Sequence, residues 1–150
     1  MYFVDRKKIE HHLEYLEFLL KQAKKLAGKE SDAEKLALER AAHVIIESMI
    51  DVGNSMIDGF IMRDPGSYQD ILDILEDEKV ISAENAERLK KVIALRKMLV
   101  QQFASVSHKE ISEVLIENAG SIDSFPSDVR RYIEQELGPV SAFLPDDQQN

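Results

Sequence analysis

The chain has 150 residues, 44% hydrophobic and 31% charged, with no cysteine. It is long enough to bury a core of its own and too apolar for a disordered polyelectrolyte, and disulfide and thiolate chemistry are excluded. A net charge of -9 with a pI near 4.9 excludes a broad, non-specific nucleic-acid binder, though not a small local basic patch.

Helical periodicity runs through nearly all of it. Asp5 is placed to cap a first helix with apolar positions Ile9, Leu13, Leu16, Leu20 and Ala23. Gly28 ends that helix after the basic Lys24 and Lys25. Ser31 with Glu34 forms a capping box for a second helix, from Asp32 to about Met62. Its inward face is Leu38, Ala42, Ile45, Met49, Val52, Met56 and Phe60, and Gly53 and Gly59 argue against one straight rod. Arg63-Asp-Pro-Gly66 is a turn. A short helix follows from Ser67 or Tyr68 to about Glu78, with Ile71, Ile74 and Leu75 inward. Ser82 caps the next, which carries Ala86, Leu89, Val92 or Ile93, Arg96, Val100 and Phe103 along one run. A fifth starts near Ser107 and ends near Gly120, and a sixth covers Asp123 to Leu137 with Pro126 in its first turn. Gly138 and Pro139 stop it; the short VSAF beyond is at most an isolated extended piece, and residues 143–150 are expected to form a flexible tail.

No segment alternates like a strand, and no internal repeat or linker interrupts the chain. The expected fold is all-α: a single domain over 1–150, an up-and-down bundle of about four main helices with shorter additional ones. No run approaches the roughly 18 apolar residues of a membrane helix, and the first residues lack the apolar core of a signal peptide. The expected location is the cytoplasm, with no membrane association.

Two constellations carry possible chemistry. His43, Glu47, Asp51, Asn54 and Asp58 follow one another at spacings of 4, 4, 3 and 4 on the second helix, a polar line beside the apolar face. It reads as a solvated edge, a polar groove, or a receiver for a neighbouring arginine. A metal site is disfavoured, because neither a Glu-x-x-His unit nor the His-Glu-x-x-His zinc motif is present. The glycines form no phosphate cradle and the serines no recognisable triad, so no cofactor is expected. His11, His12 and His108 have no partner at ligand spacing. The second constellation is Leu95 to Phe103, LRKMLVQQF, where Arg96 shares an apolar face with Val100 and Phe103. An arginine there is costly unless paired, and Glu47 or Asp51 is its expected partner.

This segment resembles the signature of the HEPN superfamily, in particular its HepT-like branch, typically Arg-Asn-x-Leu-Val-His-x-Tyr. The same register reads Arg96-Lys97-Met98-Leu99-Val100-Gln101-Gln102-Phe103. The long helix from Glu39 to Ile57, the RDPGSY turn and the stretch from Asp70 to Arg96 also resemble that branch. The resemblance implies a helical homodimer. Its active members are metal-independent RNases of type VII toxin–antitoxin systems, in which arginine and histidine from both subunits meet in a cleft. Their antitoxin is a nucleotidyltransferase that adenylylates the motif tyrosine. Of those functional positions only the arginine, Arg96, is kept here. Gln101 stands at the histidine position, without a proton to exchange near neutral pH; Lys97 replaces the asparagine and Phe103 the tyrosine. The expectation is therefore a catalytically degenerate homodimer with a binding or regulatory role, with a nucleotidyltransferase-type antitoxin and RNA as its candidate partners. The alternatives are an RNase whose base has moved, to His43 or His108, and an interaction protein unrelated to RNA.

Overall fold

The computed structural model describes residues 2–139. Seven helices follow one another, with no strand among the described residues: α1 Arg6–Leu26, α2 Asp32–Gly59, α3 Tyr68–Asp77, α4 Ala83–Ile93, α5 Arg96–Gln101, α6 His108–Glu117 and α7 Ala119–Leu137. The expected VSAF segment and the tail over 143–150 lie outside the described residues.

The starts of α1 to α4 follow their caps. Asp5 accepts from the Lys8 amide, Ser31 and Glu34 complete a capping box, and Ser67 and Ser82 accept from Asp70 and Asn85. α1 ends at Leu26, and Gly28 takes a φ of +77°, a conformation glycine adopts without steric cost. α1 and α2 pack as an antiparallel pair, joined by a short connection. Leu13, Leu16, Leu20, Ala42, Ile45, Met49 and Met56 are fully or almost fully buried between them and the remaining helices. α7 closes one side of α1, α3 and α4 form a hairpin against α2, and α6 lies over the α1/α2 pair.

α2 stays helical through Gly53 and stops at Gly59, short of the expected Met62. Gly53 is required by packing: a Cβ there would lie 2.4 Å from Ile71 Cγ2 of α3. The end is a left-handed turn at Ile61, φ +56°, after which the Met62 amide bonds back to Ile57 O at 2.9 Å. Ile61 holds that conformation although its branched, exposed side chain disfavours it, so the stop carries no glycine signal.

Two other boundaries differ from expectation. The run from Ser82 to Phe103 is not one helix. It breaks at Ala94 and Leu95, where the Leu95 amide bonds to Val92 O in a tightened turn, and both Leu95 and Leu99 turn into the core. α7 starts at Ala119, four residues before Asp123, so Pro126 is the eighth residue of the helix and not in its first turn. Asn118 alone separates α6 from α7; its side-chain amide donates to Val114 O at 2.8 Å while its carbonyl receives the Ser121 and Ile122 amides.

The turn before α3 is locked by charge. Asp70 takes both Arg63 guanidinium nitrogens at 2.8 and 3.0 Å and the Gly66 amide at 2.8 Å. Arg63 and that amide hold the Asp70 carboxyl down at about 2, from an ordinary value of 3.8. A depressed folded-state pKa contributes stability above the unfolded value and loses it as pH falls. The melting-temperature difference between wild type and Asp70→Ala is therefore expected to be full above pH 3.8 and to fade toward pH 2. Thermal melts by circular dichroism across that range check it; a difference independent of pH would rule out the carboxylate as the cause.

Candidate functional site

The break between α4 and α5 sets Arg96 against α2. Its Nε donates to Glu47 Oε1 at 2.7 Å, and its guanidinium carbon sits 4.5 Å from the centre of the Tyr68 ring at the start of α3. The hydrogen bond to Glu47 is the main reason the Arg96 pKa rises above the ordinary arginine value. The Arg96 side chain keeps 27% of its exposure and that of Glu47 39%, so the pair is partly open to solvent and no buried ion pair. Only Nε is bonded to Glu47, which leaves the terminal guanidinium nitrogens available to a phosphate.

Glu47 is thus the partner of Arg96, and Asp51 is not. One turn farther along α2, Asp51 faces α1 and pairs with His12, Nδ1 to Oδ2 at 3.2 Å. The polar line is divided accordingly. His43 Nε2 lies 3.6 Å from the same Glu47 oxygen that receives Arg96. Asn54 is half-buried and Asp58 exposed, and neither joins the cluster. Glu47 and Asp51 line an open groove of about 370 Å³ between α1 and α2, with His11, His12, Tyr15, Val44 and Ser48; His43, Asn54 and Asp58 do not line it. Among the described residues, no group of three His, Cys, Asp or Glu side chains is placed to hold a metal ion.

The remaining motif positions do not gather around Arg96 within the chain. α5 ends at Gln101, Gln102 leaves helical geometry, and Phe103 stands 71% exposed beyond it. Arg96, Val100 and Phe103 therefore do not share one helical face, contrary to expectation, because the helix ends before Phe103. Lys97 and Gln101 are exposed on α5.

Three participants had no local signal. His12 finds Asp51 across 39 positions of sequence, and His108 Nε2 meets Glu39 Oε2 at 2.7 Å across 69. Tyr68 reaches Arg96 because the α3–α4 hairpin brings the start of α3 beside the end of α4. All three depend on how helices pack. The one available hint was that Glu39, Glu47 and Asp51 recur on α2 at spacings of 8 and 4, which sets three acids along one side of that helix.

The family model described as Ribonuclease HepT-like matches residues 9–135. The chain belongs to the HepT-like family. It is 49% identical over 143 residues to YutE of Bacillus subtilis strain 168, a provisionally named RNase, covering 95% of this chain and 99% of that one. The solved structure of YutE, described as a cytosolic protein, superposes with a TM-score of 0.87 at 48% identity, over 95% of this chain and 100% of that chain. Two more distant structures share the fold of this HepT-like chain at 16% identity. One is a toxin–antitoxin with AMP-PNP, TM-score 0.74, over 82% of this chain and 97% of that one. The other is a tri-AMPylated Shewanella oneidensis HEPN toxin in complex with MNT antitoxin, TM-score 0.73, over 82% and 96%. No helix among the described residues is long and apolar enough to cross a membrane.

Proposed function

We propose that this chain is a HepT-like homodimer that binds RNA backbone phosphate through Arg96 without the cleavage chemistry of the family motif. The observation that carries the reading is the state of the motif. Arg96 is braced by Glu47 and Tyr68 with its terminal nitrogens free of Glu47, while the histidine position is Gln101 and the tyrosine position Phe103. A guanidinium so held binds a phosphate; a glutamine carries no proton that exchanges near neutral pH. Phe103 has no hydroxyl to accept a nucleotide, so adenylylation at that position is closed. The antitoxin complexes of the distant HEPN structures support a nucleotidyltransferase-type partner, which here would act by binding.

A second reading rests on His43. His43 Nε2 and Arg96 Nε converge on one oxygen of Glu47, at 3.6 and 2.7 Å, which sets an imidazole beside the phosphate-binding cation. From there His43 could take the proton of a ribose 2'-hydroxyl as that oxygen attacks the adjacent phosphorus. The bond from phosphorus to the 5'-oxygen would break, that oxygen taking a proton from solvent water, and a 2',3'-cyclic phosphate would remain. Labelled RNA incubated with the purified protein in a metal chelator separates the two. The binding reading expects intact RNA and an affinity loss of about tenfold in Arg96→Ala, as removing a charged hydrogen-bond donor implies. Cleavage abolished in both Arg96→Ala and His43→Gln would establish the second reading, and binding unchanged in Arg96→Ala with no cleavage would overturn both.

A further inference from the structure

The chain carries a net charge of -9, yet α1 runs against it: six basic residues and three glutamates between Arg6 and Leu26 give +3. Two of those glutamates, Glu10 and Glu17, are taken by Arg130 of α7, about a third of a turn around the helix from its outward side. On the outward side, Lys8, His11, Tyr15, Phe18, Gln22 and Lys25 follow at steps of 3, 4, 3, 4 and 3, which places them in one line. All are exposed except Gln22, which is half-buried. Tyr15 and Phe18 are 41% and 52% exposed and stacked on each other, ring centroids 5.8 Å apart and planes within 18°. Among the described residues Lys8 and Lys25 enter no ion pair.

We propose that this face of α1 is a binding track for single-stranded RNA, separate from the Arg96 motif. The stacked Tyr15–Phe18 pair is a platform for bases, and the lysines at both ends are phosphate contacts.

The chemistry fits that ligand. Single-stranded nucleic acid is held by aromatic faces that accept any base, together with cations that follow the backbone. From Lys8 to Lys25 the line spans about 26 Å at the rise of an α-helix, room for several nucleotides. Tyr15 also borders the α1/α2 groove, whose two carboxylates, Glu47 and Asp51, are engaged by Arg96 and His12. A strand on the track can therefore continue toward Arg96 past acids that already have partners. Glu14, exposed beside Tyr15, is an unfavourable charge next to the platform. Charge also decides against a second copy of this chain as occupant. An antiparallel two-fold contact through this line would set Lys8 of each copy against Lys25 of the other.

The ligand class rests on the RNA-binding reading above, but the two sites fail separately. Fluorescence anisotropy with a labelled oligouridylate of about ten nucleotides measures affinity for the full chain. Tyr15→Ala/Phe18→Ala is expected to weaken binding about tenfold or more, with Tyr15→Phe close to wild type. Lys8→Gln/Lys25→Gln is expected to flatten the salt dependence. Circular dichroism melts confirm folding, and Tyr15→Leu/Phe18→Leu, which keeps apolar bulk but removes the ring faces, serves if the alanine pair unfolds. Binding that falls in Arg96→Ala but not in the aromatic variants overturns the track and leaves the Arg96 reading standing. The reverse pattern supports the track and overturns the other. No oligonucleotide binding by wild type overturns both. A wild-type dimer that becomes monomeric in the aromatic variants by sedimentation velocity, in step with any loss of binding, assigns the face to a second copy and overturns the track.

Discussion

Gly53→Ala is expected to destabilise the protein by about 2 kcal/mol, as overpacking a well-packed core does. Helix propensity alone gives the opposite sign, since alanine in a helix interior is favoured over glycine by about 1 kcal/mol. The packing wins because the new methyl would stand 2.4 Å from Ile71 Cγ2. That atom is fixed to a stiff β-branched carbon on a buried residue, so it cannot swing away as the end of a flexible side chain would. Either Ile71 leaves its rotamer or α3 moves off α2. Gly120→Ala is the control: a Cβ there would meet no atom of another part of the chain within 4 Å, and the variant is expected to be neutral or slightly stabilising. Urea unfolding of both variants measures the difference, and equal stabilities would remove the close approach of α2 and α3 as the reason for Gly53. Shortening the neighbour offers an independent check. In Gly53→Ala/Ile71→Ala the two costs should add to less than their sum, because the clash is gone.

Arg130→Ala is expected to cost about 2 kcal/mol at neutral pH, the low end for multiple charged hydrogen bonds because all three side chains are a third or more exposed. Arg130 of α7 clamps α1, donating to both oxygens of Glu10 and both of Glu17 at 2.7 to 2.9 Å. Without it two carboxylates two turns apart face α7 uncompensated. The same contacts raise the Arg130 pKa above the ordinary arginine value, the Glu17 hydrogen bond contributing most. Arg130 also lowers the Glu17 pKa from 4.5. Since the folded-state carboxyl is the more acidic, its stabilisation is complete above pH 4.5 and lost as pH falls through the folded value. Wild type and Arg130→Ala should therefore differ most at neutral pH and converge in acid. Urea midpoints measured from neutral to acid pH test this; a gap that persists undiminished in acid would mean the arginine acts through its packed alkyl stem and not its charge.

Residues with local consequences were the legible ones. Ser31 with Glu34, Ser67 and Ser82 mark helix starts because a cap is satisfied within three or four residues. The inward positions of α1 and α2 are read from periodicity for the same reason: each side chain's face is set by its place in a regular helix. Boundaries enforced from a distance were not legible. The α4–α5 break has no glycine or proline; it falls just before Leu95 and turns Leu95 and Leu99, one helical turn apart, into the core. Ile61 ends α2 in a conformation its own side chain disfavours. In the candidate site, an acidic partner for Arg96 on α2 was expected, but the choice of Glu47 over Asp51 was not available. Those residues differ by one turn, and only the rotation of α2 against α1 sends Asp51 to His12.

The all-helical class, most helix starts, the HepT-like membership and the altered motif are all written in residue types and short spacings. Helix packing sets which carboxylate braces Arg96, that His43 shares it, and where His12 and His108 find their acids. The same packing requires glycine at position 53. These are contacts between helices, set by how far each is rotated and how closely it approaches its neighbour, and neither quantity is encoded within any one helix.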